Sequence, residues 1–133
     1  MINLNEKCPC GSNNIYNECC GKFIDNIQIP KTAEELMRSR YSAYTKAKID
    51  YIKETMTGPA LKKFNYQSSM EWATESIWLK LEVLNHKIDK KDSNIAYVEF
   101  KAFYIINNLP QLLHEKSKFK RINEKWFYYS GDK

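Results

Sequence analysis

From Thr32 to about residue 46, apolar side chains recur at helical spacing. With Leu36 at zero and 100° per residue, Leu36, Met37, Tyr41, Ala43, Tyr44 and Ala47 share one broad face. Thr32-Ala33-Glu34-Glu35 reads as a capping box at its start, the Thr32 hydroxyl serving early helical amides while Glu35 reaches back. Asp50 predicts the start of a second helix through Met56, ended by Gly58-Pro59, and Ser68 to Glu75 allows a short third. At Ile77 the period changes to two, predicting strands over 77–86, 95–104, 113–122 and 125–130, with turn-forming residues at 89–94, 107–110 and 123–124. Helices first and an antiparallel meander afterwards make an α+β fold. Residues 22–31, which include Pro30 and have no strong period, read as a connector.

Two charged residues interrupt the apolar pattern. Arg40 falls about 40° from Leu36, in the middle of the apolar face, whereas Arg38 falls outside it at about 200°. A guanidinium on such a face needs an exit to water or a partner. In the strand from Leu113 the even positions His114, Lys116, Lys118 and Lys120 must be wet, so Glu115 points inward with Phe119. Arg40 and Glu115 are therefore expected to pair in the interior. The pair is either an ion pair that fixes helix register or a ligand anchor in a cavity lined by Tyr41 or Tyr44. Alternation puts Lys80, Lys101, Trp78, Tyr97 and Phe103 on the outer sheet face with Lys116, Lys118 and Lys120. That surface could track RNA, although Glu82 and Glu99 interrupt it and a solvated mixed-charge face explains it equally.

The four cysteines change the picture most. Cys8, Cys10, Cys19 and Cys20 lie within 13 positions, in the pattern C-x-C-x8-C-C, and no cysteine follows. A disulfide normally ties distant parts of a chain, and a reducing cytosol disfavours it, so the cluster reads as metal-binding. Four thiolates suit tetrahedral zinc. Four small buried hydrophobes without metal, or an iron–sulfur cluster, are the alternatives. Gly11 and Ser12 allow the backbone to turn back with amides toward the sulfurs, Asn13 and Asn14 tolerate left-handed conformations, and Gly21 permits a tight exit. Lys7 and Lys22 are placed to offset the excess charge of a metal tetrathiolate.

Composition narrows the function classes. The 133 residues fit one domain plus a small appendage, and 43% hydrophobic with 14% aromatic residues supply a core, which argues against global disorder. No apolar run approaches the roughly 20 residues of a membrane span, and Met1 to Lys7 lacks the form of a signal peptide, so a cytoplasmic location without membrane contact is expected. The net charge of +5 lies beyond residue 25, where 19 basic residues face 13 acidic ones. The sequence has no glycine-rich phosphate loop, no H-E-x-x-H pair and no G-x-S-x-G elbow. His86 and His114 are its only histidines; His114 reads as a solvated surface residue.

Cys8-Pro9-Cys10-Gly11-Ser12, followed by Tyr16 and Cys19-Cys20-Gly21, resembles the SEC-C zinc motif, also found at the C-terminus of the translocase motor SecA. The whole chain resembles the YchJ family. The resemblance runs through Leu36-Met37-Arg38-Ser39-Arg40-Tyr41-Ser42-Ala43, Trp78-Leu79, Leu81-Glu82-Val83, Val98-Glu99-Phe100, Glu115-Lys116-Ser117-Lys118-Phe119 and Trp126-Phe127-Tyr128-Tyr129. It implies a zinc knuckle over residues 1–25 and, over 26–133, a cone-shaped domain similar to nuclear transport factor 2, with helices packed on a curved antiparallel sheet. Many relatives have Gly-Lys where this chain has Asn13-Asn14. Many also carry a second zinc motif at the C-terminus that this sequence does not contain, so a role needing two knuckles is not expected.

The expectation is a non-catalytic protein with structural Zn2+ on Cys8, Cys10, Cys19 and Cys20, its knuckle docking a protein or ribosomal partner, as the SEC-C resemblance implies. The alternatives are a small-molecule-binding protein or enzyme using the cavity near Arg40, Tyr41, Tyr44 and Glu115, and an RNA-associated factor using Lys116, Lys118 and Lys120.

Overall fold

A computed structural model describes residues 6–132. After a single 3-10 turn at Tyr16–Glu18 come helices α1 (Cys20–Ile24), α2 (Ala33–Thr45), α3 (Ile49–Glu54), α4 (Gly58–Lys63) and α5 (Tyr66–Glu75). The strands β1 (Ile77–Ile88), β2 (Ile95–Ile106), β3 (Leu109–Ile122) and β4 (Lys125–Asp132) follow. The α+β order is as expected.

Local chemistry explains most boundaries. Thr32 Oγ1 accepts from the Glu35 amide at 3.0 Å, and the Glu35 carboxylate accepts from the Lys31 amide at 2.8 Å, closing the box one residue further out than expected. Asn65 caps α5 by accepting from the Ser68 amide at 2.8 Å. Gly58-Pro59 opens α4 instead of only closing the helix before it. Proline's fixed φ and missing amide proton suit the first helical turn, so the same dipeptide can stop one helix and start another. The expected connector over 22–31 begins inside α1.

The sheet is a four-stranded antiparallel meander in the order β1-β2-β3-β4. Asn107-Asn108 and Asn123-Glu124 form two-residue hairpin turns with φ positive at both residues, which matches the twist of the strands they join. Because the first turn is so tight, β3 begins at Leu109 and includes Pro110, four residues earlier than alternation alone indicates. Pro110 is accommodated because β4 pairs with β3 only from Lys116 onward.

Three extra residues interrupt the ladders: Leu79 and Leu84 in β1, and Tyr129 in β4. Each bulge resets the side-chain alternation. Trp78 pairs with Tyr104 and Lys80 with Phe103, so Trp78 and Lys80 lie on opposite faces although both are even-numbered. The expected placement of Trp78 on the outer face is therefore corrected: it packs inward against Tyr41, Tyr44 and Trp72. The bulge at Leu84 likewise brings His86 opposite buried Val98.

The helices cover one face of this bent sheet. Leu36, Ile52, Val98 and Phe119 are fully buried between them, and the same core cluster contains Cys8, Cys10, Cys20, Phe23 and Ile24. The apolar interior thus continues from the cysteine-rich segment into the helix-on-sheet part without a break near residue 25. Among the described residues, no helix is long and apolar enough to cross a membrane.

Candidate functional site

The cysteine segment folds as a small hairpin closed by α1. Backbone bonds from Cys8 to Asn14 and from Tyr16 to Glu6, each 2.8 Å, pair its two arms. Gly11 and Asn13 turn between them at φ +84° and +69°. Gly21 is needed for a different reason than a tight exit: a Cβ there would meet the Tyr16 carbonyl and ring at about 3 Å. Four sulfurs converge as a result, with all Sγ atoms within 4.8 Å of one another. Cys10 to Cys19 spans 3.7 Å and Cys19 to Cys20 spans 4.0 Å. A tetrahedron with metal–sulfur distances of about 2.3 Å has edges of about 3.8 Å, close to both of these spacings, so the four cysteines could hold a metal ion.

Thiol donors from Cys20 and Cys8, helped by Ser12, hold Cys10 far below its ordinary range. The same bonding, with burial, pushes Cys20 up, and burial raises Cys19. Metal ligation requires thiolates, so a cation bound here would release the thiol protons.

Helix α2 reads this segment with residues four apart. Arg38 Nη1 donates to the Cys10 carbonyl at 2.8 Å while its Nε holds Glu34 at 2.9 Å. Ser42 lies 3.4 Å from Cys8 Sγ. Lys46 donates to Glu6 at 2.8 Å and stands over the Tyr16 ring. Arg38, expected on an outer helix face, instead clamps the cysteine segment. Lys22, expected to offset the sulfur charge, lies over the Phe23 ring. The wheel failed here because α2 has two partners, a sheet on one side and the cysteine hairpin on the other.

A second feature lies on the opposite side of α2. Met37, Arg40, Tyr41, Tyr44, Trp72 and Trp78 face Phe100, Leu113, Glu115 and Tyr128 across a cavity of about 230 Å³. Arg40, Tyr41, Tyr44 and Glu115 are thus brought together, as the periodicity indicated. The expected Arg40–Glu115 ion pair is corrected, however: the two residues make no ion pair among the described residues. Arg40 Nη1 donates to the Ile52 carbonyl at 2.8 Å and to Thr55 Oγ1 at 2.7 Å. Glu115 Oε2 accepts from the hydroxyls of Ser117 and Tyr128. Tyr128 stands between them. Its ring face carries the Arg40 guanidinium 4.6 Å from the centroid, and its hydroxyl binds Glu115 at 2.8 Å. Burial, with Glu115 close by, pushes the Tyr128 phenol above its ordinary range. Tyr128 is the member of this site that the sequence did not single out; only its membership of the Trp126-Phe127-Tyr128-Tyr129 run marked it. Gly131 also belongs here, since any side chain on it would strike the Glu115 carboxylate.

Lys116, Lys118 and Lys120 stand on the outer sheet face. Lys116 lies over Tyr97, and Lys118 and Lys120 both lie over Tyr129. Lys80 covers Phe103. His114, exposed, bonds Glu99 at 2.7 Å.

Residues 32–131 match the family described as the YchJ middle domain, similar to nuclear transport factor 2. The chain belongs to the YchJ family. A UPF0225 protein of Photorhabdus laumondii is 39% identical, covering 98% of this chain and 82% of its own length. A UPF0225 protein of Geobacter sulfurreducens is 36% identical, covering 98% and 80%. Among solved structures, a SEC-C motif containing protein from Rhodopseudomonas palustris superposes with a TM-score of 0.86 at 32% identity, over 96% of this chain and 98% of that one. A SEC-C motif containing protein from Psychrobacter arcticus gives 0.84 at 30% identity, over 98% and 84%. Both the YchJ assignment and the SEC-C likeness rest on residues already described: the middle domain holds the cavity, and the cysteine hairpin holds the four sulfurs.

Proposed function

We propose that this YchJ-family chain is a non-catalytic, cytoplasmic binding protein, ordered by one structural zinc ion, whose knuckle docks on a protein or ribosomal partner. The convergence of four sulfurs within 4.8 Å of one another supports this reading above all. Every coordination position is then taken by the protein, and a catalytic zinc keeps one for water or substrate. The metal's contribution is to fold the hairpin and neutralise its thiolates. Beside the knuckle, Ile27 and Ile29 expose large apolar side chains, which suits a docking edge better than a solvated one.

Elemental analysis of protein never exposed to chelator should give about one zinc per chain. Less than about a tenth of an equivalent, or iron in its place, rejects the zinc assignment. Ribosomes should carry the intact chain through a sucrose gradient and leave behind a Cys19→Ser/Cys20→Ser form. Equal co-sedimentation of both removes the knuckle from the interaction. RNA contact through Lys116, Lys118 and Lys120 is the lesser reading, because lysines already cover the aromatic faces that bases would stack on. It would show itself as binding that weakens steeply with salt and survives loss of the knuckle.

A further inference from the structure

We infer that the cavity behind α2 is a binding site for a neutral, ring-bearing small molecule whose head group both donates and accepts hydrogen bonds, such as a primary amide. This is independent of the knuckle's role.

Three observations converge on that chemistry. The first is shape. An apolar cavity of about 150 Å³ takes up benzene, and this one, at about 230 Å³, has room for a ring plus a substituent. Its walls are already set, because the aromatic side chains brace each other edge to face. Tyr44 and Trp72 are 4.9 Å apart, Trp72 and Trp78 5.1 Å, and Tyr41 and Trp78 5.8 Å.

The second is the polar end. Arg40 and Glu115 are 7% and 8% exposed, so each is more than nine-tenths buried, and both line the cavity. Arg40 uses only Nη1 for Ile52 and Thr55; its Nε and Nη2 meet no acceptor among the described residues. Glu115 takes both of its hydroxyl donors on Oε2, which leaves Oε1. A head group that accepts from a guanidinium and donates to a carboxylate completes both sets. An amide does this with one oxygen and one nitrogen.

The third is charge. The two ionic groups have opposite sign, one over the Tyr128 ring face and the other at its hydroxyl, so an anion attracted by Arg40 meets Glu115, and a cation attracted by Glu115 meets Arg40. A neutral dipole suffers neither repulsion. A more polar recess lined by Lys63, Phe64, Asn65 and Ser68 shares Met56, Glu115 and Tyr128 with the inner cavity, so Glu115 stands where the two adjoin, while Arg40 lines the inner cavity alone.

Benzamide, benzoate and benzamidinium are close in size and differ in charge, which makes them suitable probes. The zinc-loaded, nitrogen-15-labelled chain would be titrated with each while the three tryptophan indole resonances are followed. Trp72 and Trp78 line the cavity; Trp126 does not, its indole being tied to the Lys31 carbonyl at 3.2 Å. Benzamide should shift Trp72 and Trp78 saturably and leave Trp126 in place. Benzoate and benzamidinium should bind at least about fivefold more weakly. Glu115→Gln should move the preference toward benzoate, a change that a purely structural Glu115 would not produce. Ala102→Leu, which fills the cavity, should abolish the benzamide response. The inference is overturned if benzamide leaves Trp72 and Trp78 unmoved up to its solubility, if all three indoles move together, or if the charged probes bind as well as the neutral one. Should Glu115→Gln fail to fold, the ranking of the three probes on the unaltered chain decides.

Discussion

At the scale of single residues, Tyr128 does for Arg40 and Glu115 what a direct ion pair would have done, without bringing the charges together. Tyr128→Phe keeps the ring under the guanidinium but leaves Glu115 with one donor, so it should cost about 1–3 kcal/mol in denaturant unfolding. Arg38 makes a different test. Groups that orient metal ligands commonly contribute about 10–100-fold to metal affinity, so Arg38→Ala should release zinc to a competing chelator about tenfold more readily, and Lys22→Ala should change little. Buried phenols set an alkaline limit. Burial pushes Tyr41 and Tyr51 up to about 12, against about 10 in an unfolded chain. The folded state then holds protons that the unfolded state has released, so this contribution is complete below pH about 10 and is lost as pH rises toward 12. A stability profile from pH 8 to 12 should fall between about pH 10 and 12; a flat profile would show that folding does not raise these phenols.

At the scale of elements, what the sequence made legible was whatever depends on nearby residues. The capping residues of α2, the left-handed turns and the spacing of Cys8, Cys10, Cys19 and Cys20 are local chemistry, and the helix and four strands came from periods that hold over ten residues or so. The faces of β1 were not legible, because a bulge adds one residue without leaving a mark in composition: Trp78 lies on the inner face instead of the outer one for that reason. Arg38 was misplaced because a helical wheel shows which side is apolar and not how many partners the helix has. The start of α5 offers a check on the local reading. Asn65→Ala removes the acceptor for the Ser68 amide and should cost about 1 kcal/mol.

At the scale of the molecule, the shared core makes metal and fold one problem. A knuckle resting on its own few residues would melt alone on chelation, leaving the rest intact. Here Cys8, Cys10 and Cys20 pack in one cluster with Leu36, Met37 and Leu81. Structural zinc supplies about 10–16 kcal/mol of apparent folding free energy in small zinc-finger peptides, and part of its loss should reach α2. Hydrogen exchange before and after chelation should show protection falling in residues 8–24 and also in α2 from Leu36 to Ala43. Undiminished protection in α2 would instead place an independent boundary near residue 25.

The bulges also govern where the chain can change length. Val83 faces Phe100 and Asn85 faces Glu99, with Leu84 the supernumerary residue between them. Deleting Leu84 leaves every other side chain of β1 on its present face and removes only a local bend. Strand β2 has no such slack, because its pairing with β3 is regular from Ile95 to Ile106. Deleting Lys101 there would turn one half of the strand inside out, burying charge and exposing the core. Among related sequences, gaps in the alignment should therefore gather at positions 79 and 84 and avoid β2. A chain lacking Leu84 should still fold, and one lacking Lys101 should not.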